Sequence, residues 1–143
     1  MVNFNDYMDD VSKLVEIVGS ADFDCVLGIV RGGYIPAEAI SRKYKKDFCI
    51  MRVKSYEGRT QTEPVIIGTI GDPHGRVLVV DDLIDSGETI RFVKNYLKNK
   101  GLEVITAVIW NKEDNARDVQ ADYCVKNVNK EDWIIQPMEL FEK

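Results

Sequence analysis

Three stretches of this chain are apolar almost without interruption: CVLGIV at 25–30, VLVV at 77–80 and EVITAVIW at 103–110. A strand with one wet face alternates apolar and polar residues, because successive side chains point to opposite faces. Runs like these belong to strands covered on both sides, the condition met in parallel sheets flanked by helices. The intervening segments supply those helices. Tyr7, Val11, Leu14 and Val18 recur at helical spacing, with Asn5 or Asp6 available as the N-cap. YIPAEAISRKY at 34–44 places Ile35, Ala39 and Ile40 on one side, and Ile90, Val93 and Leu97 share a face in a helix that ends at KNKG. KDFCIMRV at 46–53 and VIIGTI at 65–70 are rich in β-formers, and ADYCVKNV at 121–128 reads as a late strand. Between the first two, SYEGRTQTEP has no periodicity and is expected to be a mobile loop, about 55–64. The expected fold is α/β, a doubly wound, mainly parallel sheet, in a single domain spanning 1–143.

Composition narrows the function. A net charge of −5 opposes nonspecific binding to nucleic acid, where affinity comes from lysines and arginines on phosphates. No apolar run approaches the ~20 residues of a membrane span, and the start MVNFNDYMDD lacks the order of a signal peptide. Cys25, Cys49 and Cys124 are odd in number, lie in apolar surroundings and form no CxxC pair, so reduced core thiols are expected rather than disulfide or zinc roles. The expectation is a cytoplasmic protein acting on small ligands, with neither membrane nor nucleic acid as partner. His74, the single histidine, falls in a turn and is read as a surface residue.

The middle of the chain is the most informative. VLVV runs directly into Asp81 and Asp82, then Leu-Ile, Asp85, and the small polar turn Ser86-Gly87-Glu88-Thr89 that opens a helix. In open parallel sheets, ligands sit beyond the carboxyl ends of the strands, where these residues lie. The free N–H groups of the helix start, with the hydroxyls of Ser86 and Thr89, form a cup for a phosphate. Two carboxylates beside a phosphate repel it unless something intervenes. Sugar hydroxyls donating to the carboxylates, or Mg²⁺ held through waters, make the arrangement favourable. A sugar phosphate with a metal satisfies both. The bland alternative is that Asp81 and Asp82 cap the strand and Asp85 caps the helix. The phosphate loops GxxxxGK[ST] and GxGxxG are absent from the sequence. An apolar strand ending in Asp-Asp also describes phosphoacceptor receiver domains, but there the pair lies near the N-terminus.

The stretch VLVVDDLIDSGET resembles the phosphoribosyl diphosphate (PRPP) signature of type I phosphoribosyltransferases, and the resemblance covers nearly the whole chain. It implies that Asp81 and Asp82 hold the ribose diol, that the stretch from Asp85 to Thr89 (Asp85, Ser86, Gly87, Glu88, Thr89) wraps the 5-phosphate, and that Mg²⁺ meets Asp81 through water. Arg31-Gly32-Gly33, after an early strand, resembles the diphosphate loop, and Ser55-Tyr56 the pair on a lid that excludes water from the reacting sugar. Arg59 could reach the diphosphate from that lid. Asp85 stands where 6-oxopurine enzymes carry an aspartate to take or share the proton at purine N7. Lys112 stands where they set a lysine against O6. Trp133 and Ile134 resemble the hood of bacterial xanthine-guanine phosphoribosyltransferases, with the indole on the purine ring and main-chain carbonyls at the 2-substituent. The hood would comprise the N-terminal segment and about 111–143.

The resemblance implies a Mg²⁺-dependent transfer of phosphoribose from PRPP to xanthine, guanine or hypoxanthine, giving XMP, GMP or IMP, by a homodimer or homotetramer. Met138 where related sequences often have tryptophan, and NKEDNARD without their usual proline, leave the three oxopurines unranked. A PRPP-binding regulator of the same fold is the alternative, disfavoured by the acidic balance. A PRPP-synthesising kinase needs about twice this length.

Overall fold

The computed structural model describes residues 3–54, 64–85, 87–112, 120–129 and 136–142, without the side chains of 138, 140 and 142. Helix α1 spans Phe4–Ile17, strand β1 Cys25–Val30, α2 Tyr34–Tyr44, β2 Asp47–Lys54, β3 Val65–Ile70, β4 Arg76–Ile84, α3 Glu88–Asn99, β5 Glu103–Lys112 and β6 Tyr123–Val128. Short 3₁₀ turns occupy Val18–Ser20 and Pro137–Glu142. Six strands form one sheet in the order β3-β2-β1-β4-β5-β6. Each neighbouring pair is parallel except β2 and β3, which are antiparallel with an irregularity between Arg52 and Val53. The mainly parallel, doubly wound α/β fold is therefore the one the apolar runs require.

Burial explains those runs. On β4, Leu78 and Val80 pack with Tyr7, Val11 and Leu14 of α1 and Ala37 and Ile40 of α2. Val77 and Val79, pointing the other way, pack with Ile90, Val93 and Leu97 of α3. All four β4 residues are fully buried, so neither face of the strand tolerates a polar side chain. Further along, the alternation slips by one. Ile109 and Trp110 both join the α1 side, which brings the indole under Tyr7 with ring centroids 6.2 Å apart.

Helix α1 begins earlier than its apolar spacing suggested. Neither Asn5 nor Asp6 is the N-cap; the Asn3 side chain accepts from the Asp6 amide at 2.8 Å. Asp6 is left in the first turn, where its charge suits the helix dipole. β3 is the exposed edge, with Val65, Ile67 and Ile70 facing solvent. Of the expected lid at about 55–64, residues 55–63 lie outside the described residues, as do 113–119 and 130–135 of the expected hood. Among the described residues no helix is long and apolar enough to cross a membrane.

From β1 the chain moves outward to β2 and β3, then returns past β1 to β4 and moves outward the other way. The order reverses between β1 and β4. In a doubly wound sheet the crevice at the carboxyl ends of those two strands is where a ligand fits.

Candidate active site

That crevice is bounded by the turn after β1 and the end of β4. The Arg31-Gly32-Gly33 turn starts with a cis Val30–Arg31 peptide and is closed by Gly33 N–H donating to the Ile29 carbonyl at 2.7 Å. Arg31 is exposed. A Cβ on Gly32 would run into the Asp82 carboxyl group, and one on Gly33 into the carbonyl oxygens of Val80 and Ile29. The two glycines are therefore what let the turn lie directly against the acidic strand end.

At the end of β4, Asp81 Oδ1 accepts from the Asp82 amide at 2.8 Å, and both side chains are half-buried. Burial, then the adjacent charge of Asp82, pushes the Asp81 carboxyl well above the usual carboxylate range. Tyr7 lies close enough to Asp82 for the same charge to act on it: its phenol is raised to about 12, by burial first and by Asp82 second. A paired acid of this kind gains from a cation or from hydroxyl donors. Among the described residues no group of three or more His, Cys, Asp or Glu is placed to hold a metal. Two adjacent carboxylates are nonetheless hard oxygen donors of the kind that suits Mg²⁺.

A small cleft is lined by Asp81, Leu83, Ile84, Asp85, Gly87, Thr89 and Ile90. Gly87 is the N-cap of α3 in the left-handed region, φ 86°, and no side chain caps the helix. Glycine adopts that conformation freely, so the helix start faces the cleft without a bulky residue. Glu88 is exposed in the first turn. Asp85, which could have capped α3, instead lies with its Oδ2 3.6 Å from Lys112 Nζ.

Lys112 is the clearest gain from the structure. The apolar run ends at Trp110, and a lysine beyond it would ordinarily be solvated. β5 continues instead to Lys112, which pairs with Val128 of β6, and its side chain is only 10% exposed. The sheet thereby carries one buried ammonium to the same end as three acids. Asp81, Asp85, Gly87 and Thr89 line one cleft, Lys112 reaches it through Asp85, and Gly32 and Gly33 pack on the strand end that carries Asp82. Ser55, Tyr56, Arg59, Ser86, Trp133 and Ile134 lie outside the described residues.

Two features escaped the sequence reading. Gln136 Nε2 donates to Asp82 Oδ2, joining the tail to the strand end. Asp10 is buried on α1, where its carboxylate accepts from Trp110 Nε1 at 3.3 Å and pairs with Lys126 Nζ at 3.1 Å. Asp10 follows Tyr7 by three residues on the helix face that carries Val11 and Leu14, so its position was a detectable signal. Gln136 carried none beyond its nearness to Trp133.

Residues 9–143 match the family model described as Phosphoribosyl transferase domain. The chain is 31% identical over 121 residues to a xanthine-guanine phosphoribosyltransferase of Cereibacter sphaeroides, covering 80% of this chain and 68% of that one. It is 32% identical over 123 residues to the Gluconobacter oxydans enzyme of the same name, covering 82% and 69%. The chain thus spans about two thirds of the length of these relatives. Among solved structures, a purine phosphoribosyltransferase from Pyrococcus horikoshii superposes with a TM-score of 0.77 at 29% identity, over 93% of this chain and 88% of that one. With the glycine turn, the acid pair and the α3 cleft gathered at one switch point of such a sheet, the chain belongs to the phosphoribosyltransferase family.

Proposed function

We propose that this protein is a purine phosphoribosyltransferase that moves the 5-phosphoribosyl group of PRPP onto a 6-oxopurine and releases diphosphate. The observation that carries the choice of base is the Asp85–Lys112 pair, 3.6 Å apart at the ends of neighbouring strands β4 and β5. A carboxylate accepts from a ring N–H, and an ammonium donates to a carbonyl oxygen; a 6-oxopurine presents the two side by side. An exocyclic amino group in place of the carbonyl would oppose the ammonium donor to donor, which disfavours adenine. The names of the relatives agree with this reading.

In the transfer, the bond from C1 of the sugar to the diphosphate oxygen breaks and a bond from C1 to the purine ring nitrogen forms. The proton lost by the base is taken or shared by Asp85. Asp81 and Asp82 accept from the ribose diol, and the helix start at Gly87 to Thr89, with Ser86 and Glu88, holds the 5-phosphate. Arg31 and the amide of Gly32 meet the diphosphate, with charge-assisted contacts from the guanidinium, while Gly33, whose N–H is taken by the Ile29 carbonyl, serves by letting the turn lie close. Asp81 would hold a Mg²⁺ through water, and the ion would supply charge neutralisation for the leaving diphosphate. Trp133 covers the ring face, Ile134 offers a main-chain carbonyl to the 2-substituent, and Ser55 and Tyr56 belong to a lid over the reacting sugar. The residues' work is positioning and charge matching around an oxocarbenium-like sugar.

The free thiols of Cys25, Cys49 and Cys124 support a reducing, cytoplasmic setting. The exposed apolar edge at Val65, Ile67 and Ile70 supports assembly of further copies into a dimer or tetramer. The test of the reaction is diphosphate release from PRPP and Mg²⁺ with xanthine, guanine, hypoxanthine, adenine, uracil and orotate offered singly. Release with an oxopurine and not with adenine is expected. Release with none of the six bases, from protein that binds PRPP, would replace the enzyme by a PRPP-binding regulator.

A further inference from the structure

Asp82 is where three distant parts of the chain converge. Gly32 lies so close that not even a methyl group fits between the turn and the carboxyl group. Tyr7 of α1 feels its charge. From the tail comes Gln136, whose amide Nε2 donates to Asp82 Oδ2. Gln136 is itself fixed, because its backbone N–H donates to Glu139 Oε2 at 2.6 Å across the head of the Pro137–Glu142 turn. The Asp81 carboxyl is engaged in turn by the Asp82 amide.

An amide N–H and a sugar hydroxyl are donors of the same kind to a carboxylate oxygen. Gln136 Nε2 therefore holds an oxygen of Asp82 that a sugar hydroxyl would otherwise take. We infer that Gln136 is a latch that takes the place of the sugar diol on Asp82 in the ligand-free protein and is displaced when the donor binds. The inference rests on the donor site proposed at Asp81 and Asp82. It makes Gln136 a residue that sets donor affinity by competition, and it ties occupancy of the sugar site to release of the turn at Pro137–Glu142. A ligand shifts such an equilibrium only by its differential affinity for the two states, so removing the latch must show as tighter binding of a diol-bearing ligand and of no other.

The test compares the wild-type protein with Gln136→Met, which keeps side-chain length and cannot donate. Calorimetric titration with PRPP and Mg²⁺ should show the variant binding on the order of tenfold more tightly, the scale of one hydrogen bond to a charged acceptor. Inorganic diphosphate with Mg²⁺, which has no diol, should bind both proteins alike. Equal or weaker PRPP binding by the variant would overturn the latch, as would an equal gain for diphosphate. Independently of any variant, backbone amide exchange at 138–142 of the wild type should speed up when PRPP and Mg²⁺ are added; unchanged or slowed exchange overturns the inference. A wild-type protein that binds no PRPP removes the donor site and the latch together, an outcome distinct from failure of the latch alone, where wild-type binding persists.

Discussion

The two ends of the same strands have opposite characters. At the amino ends, polar groups are matched between the segments that lead into different strands: Asp24 Oδ2 accepts from the Arg76 amide at 2.8 Å, His74 Nε2 lies 3.0 Å from Asp47 Oδ2, and Arg76 faces Glu103 at 3.8 Å. The Cys25 sulfur exchanges weak hydrogen bonds with the backbone of His74, 3.4 Å from both its N and its O. At the carboxyl ends, two acids adjoin each other, one of them raised well above the carboxylate range, and a third faces a lysine that burial leaves only 10% exposed. The apolar middle of the sheet is common to both. The amino ends match their polar groups one to one, while the carboxyl ends gather three acids and a buried lysine.

The sharpest way to break this contrast is at Asp85. Asp85→Asn should lower turnover about a hundredfold, the low end of what a positioned acid or base contributes, while changing PRPP affinity less than about threefold. Steady-state kinetics beside calorimetry separate the two, and equal turnover would remove Asp85 from the chemistry. Gly32→Ala forces a methyl group onto the Asp82 carboxyl. It should cost about 2 kcal/mol in urea unfolding, as overpacking does, and weaken PRPP binding as well. Lys112→Ala should reduce the preference for guanine over adenine by about tenfold, the worth of one charge-assisted hydrogen bond, read as a ratio of kcat/KM.

At the amino ends the expected effects are on stability alone. Burial, reinforced by the neighbouring Cys25 and Asp47, raises the Cys49 thiol to about 11, against an ordinary value of 9.0. Below about pH 9 both folded and unfolded chains keep that proton, and the thiol adds no pH dependence. As pH rises from about 9 through about 11, the unfolded chain releases a proton that the folded chain retains, so stability falls over that window. Urea midpoints from pH 8 to 10.5 should drop less steeply in Cys49→Ala than in the wild type. Smallest of all, His74→Ala removes an exposed pair with Asp47 and should change unfolding free energy by less than about 0.5 kcal/mol, with no change in turnover.

Much of this contrast was readable before the fold was seen. Val77 to Val80 could only be a strand buried on both faces, and the acids that follow could only lie at its carboxyl end. The glycine turn after β1 was equally visible, although the closeness of Gly32 to Asp82 depends on β1 and β4 becoming neighbours. Local patterns failed where a distant partner decides the outcome. β5 outlasts its apolar run because β6 pairs with it as far as Lys112. Asp10 is buried because Trp110 and Lys126 reach it from β5 and β6. Gln136 meets Asp82 across 54 residues of sequence. The bland alternative, Asp85 as the cap of α3, does not form: Gly87, in the left-handed region, is the N-cap, and Asp85 faces Lys112.

The meeting of Gly32, Tyr7 and Gln136 around Asp82 also separates what the sheet holds from what the tail adds. All six strands lie within residues 25–128, so the apolar interior is assembled without the tail. Gln136 reaches Asp82 from beyond the last strand. Loosening the tail should therefore uncover one acidic strand end and leave the buried core intact.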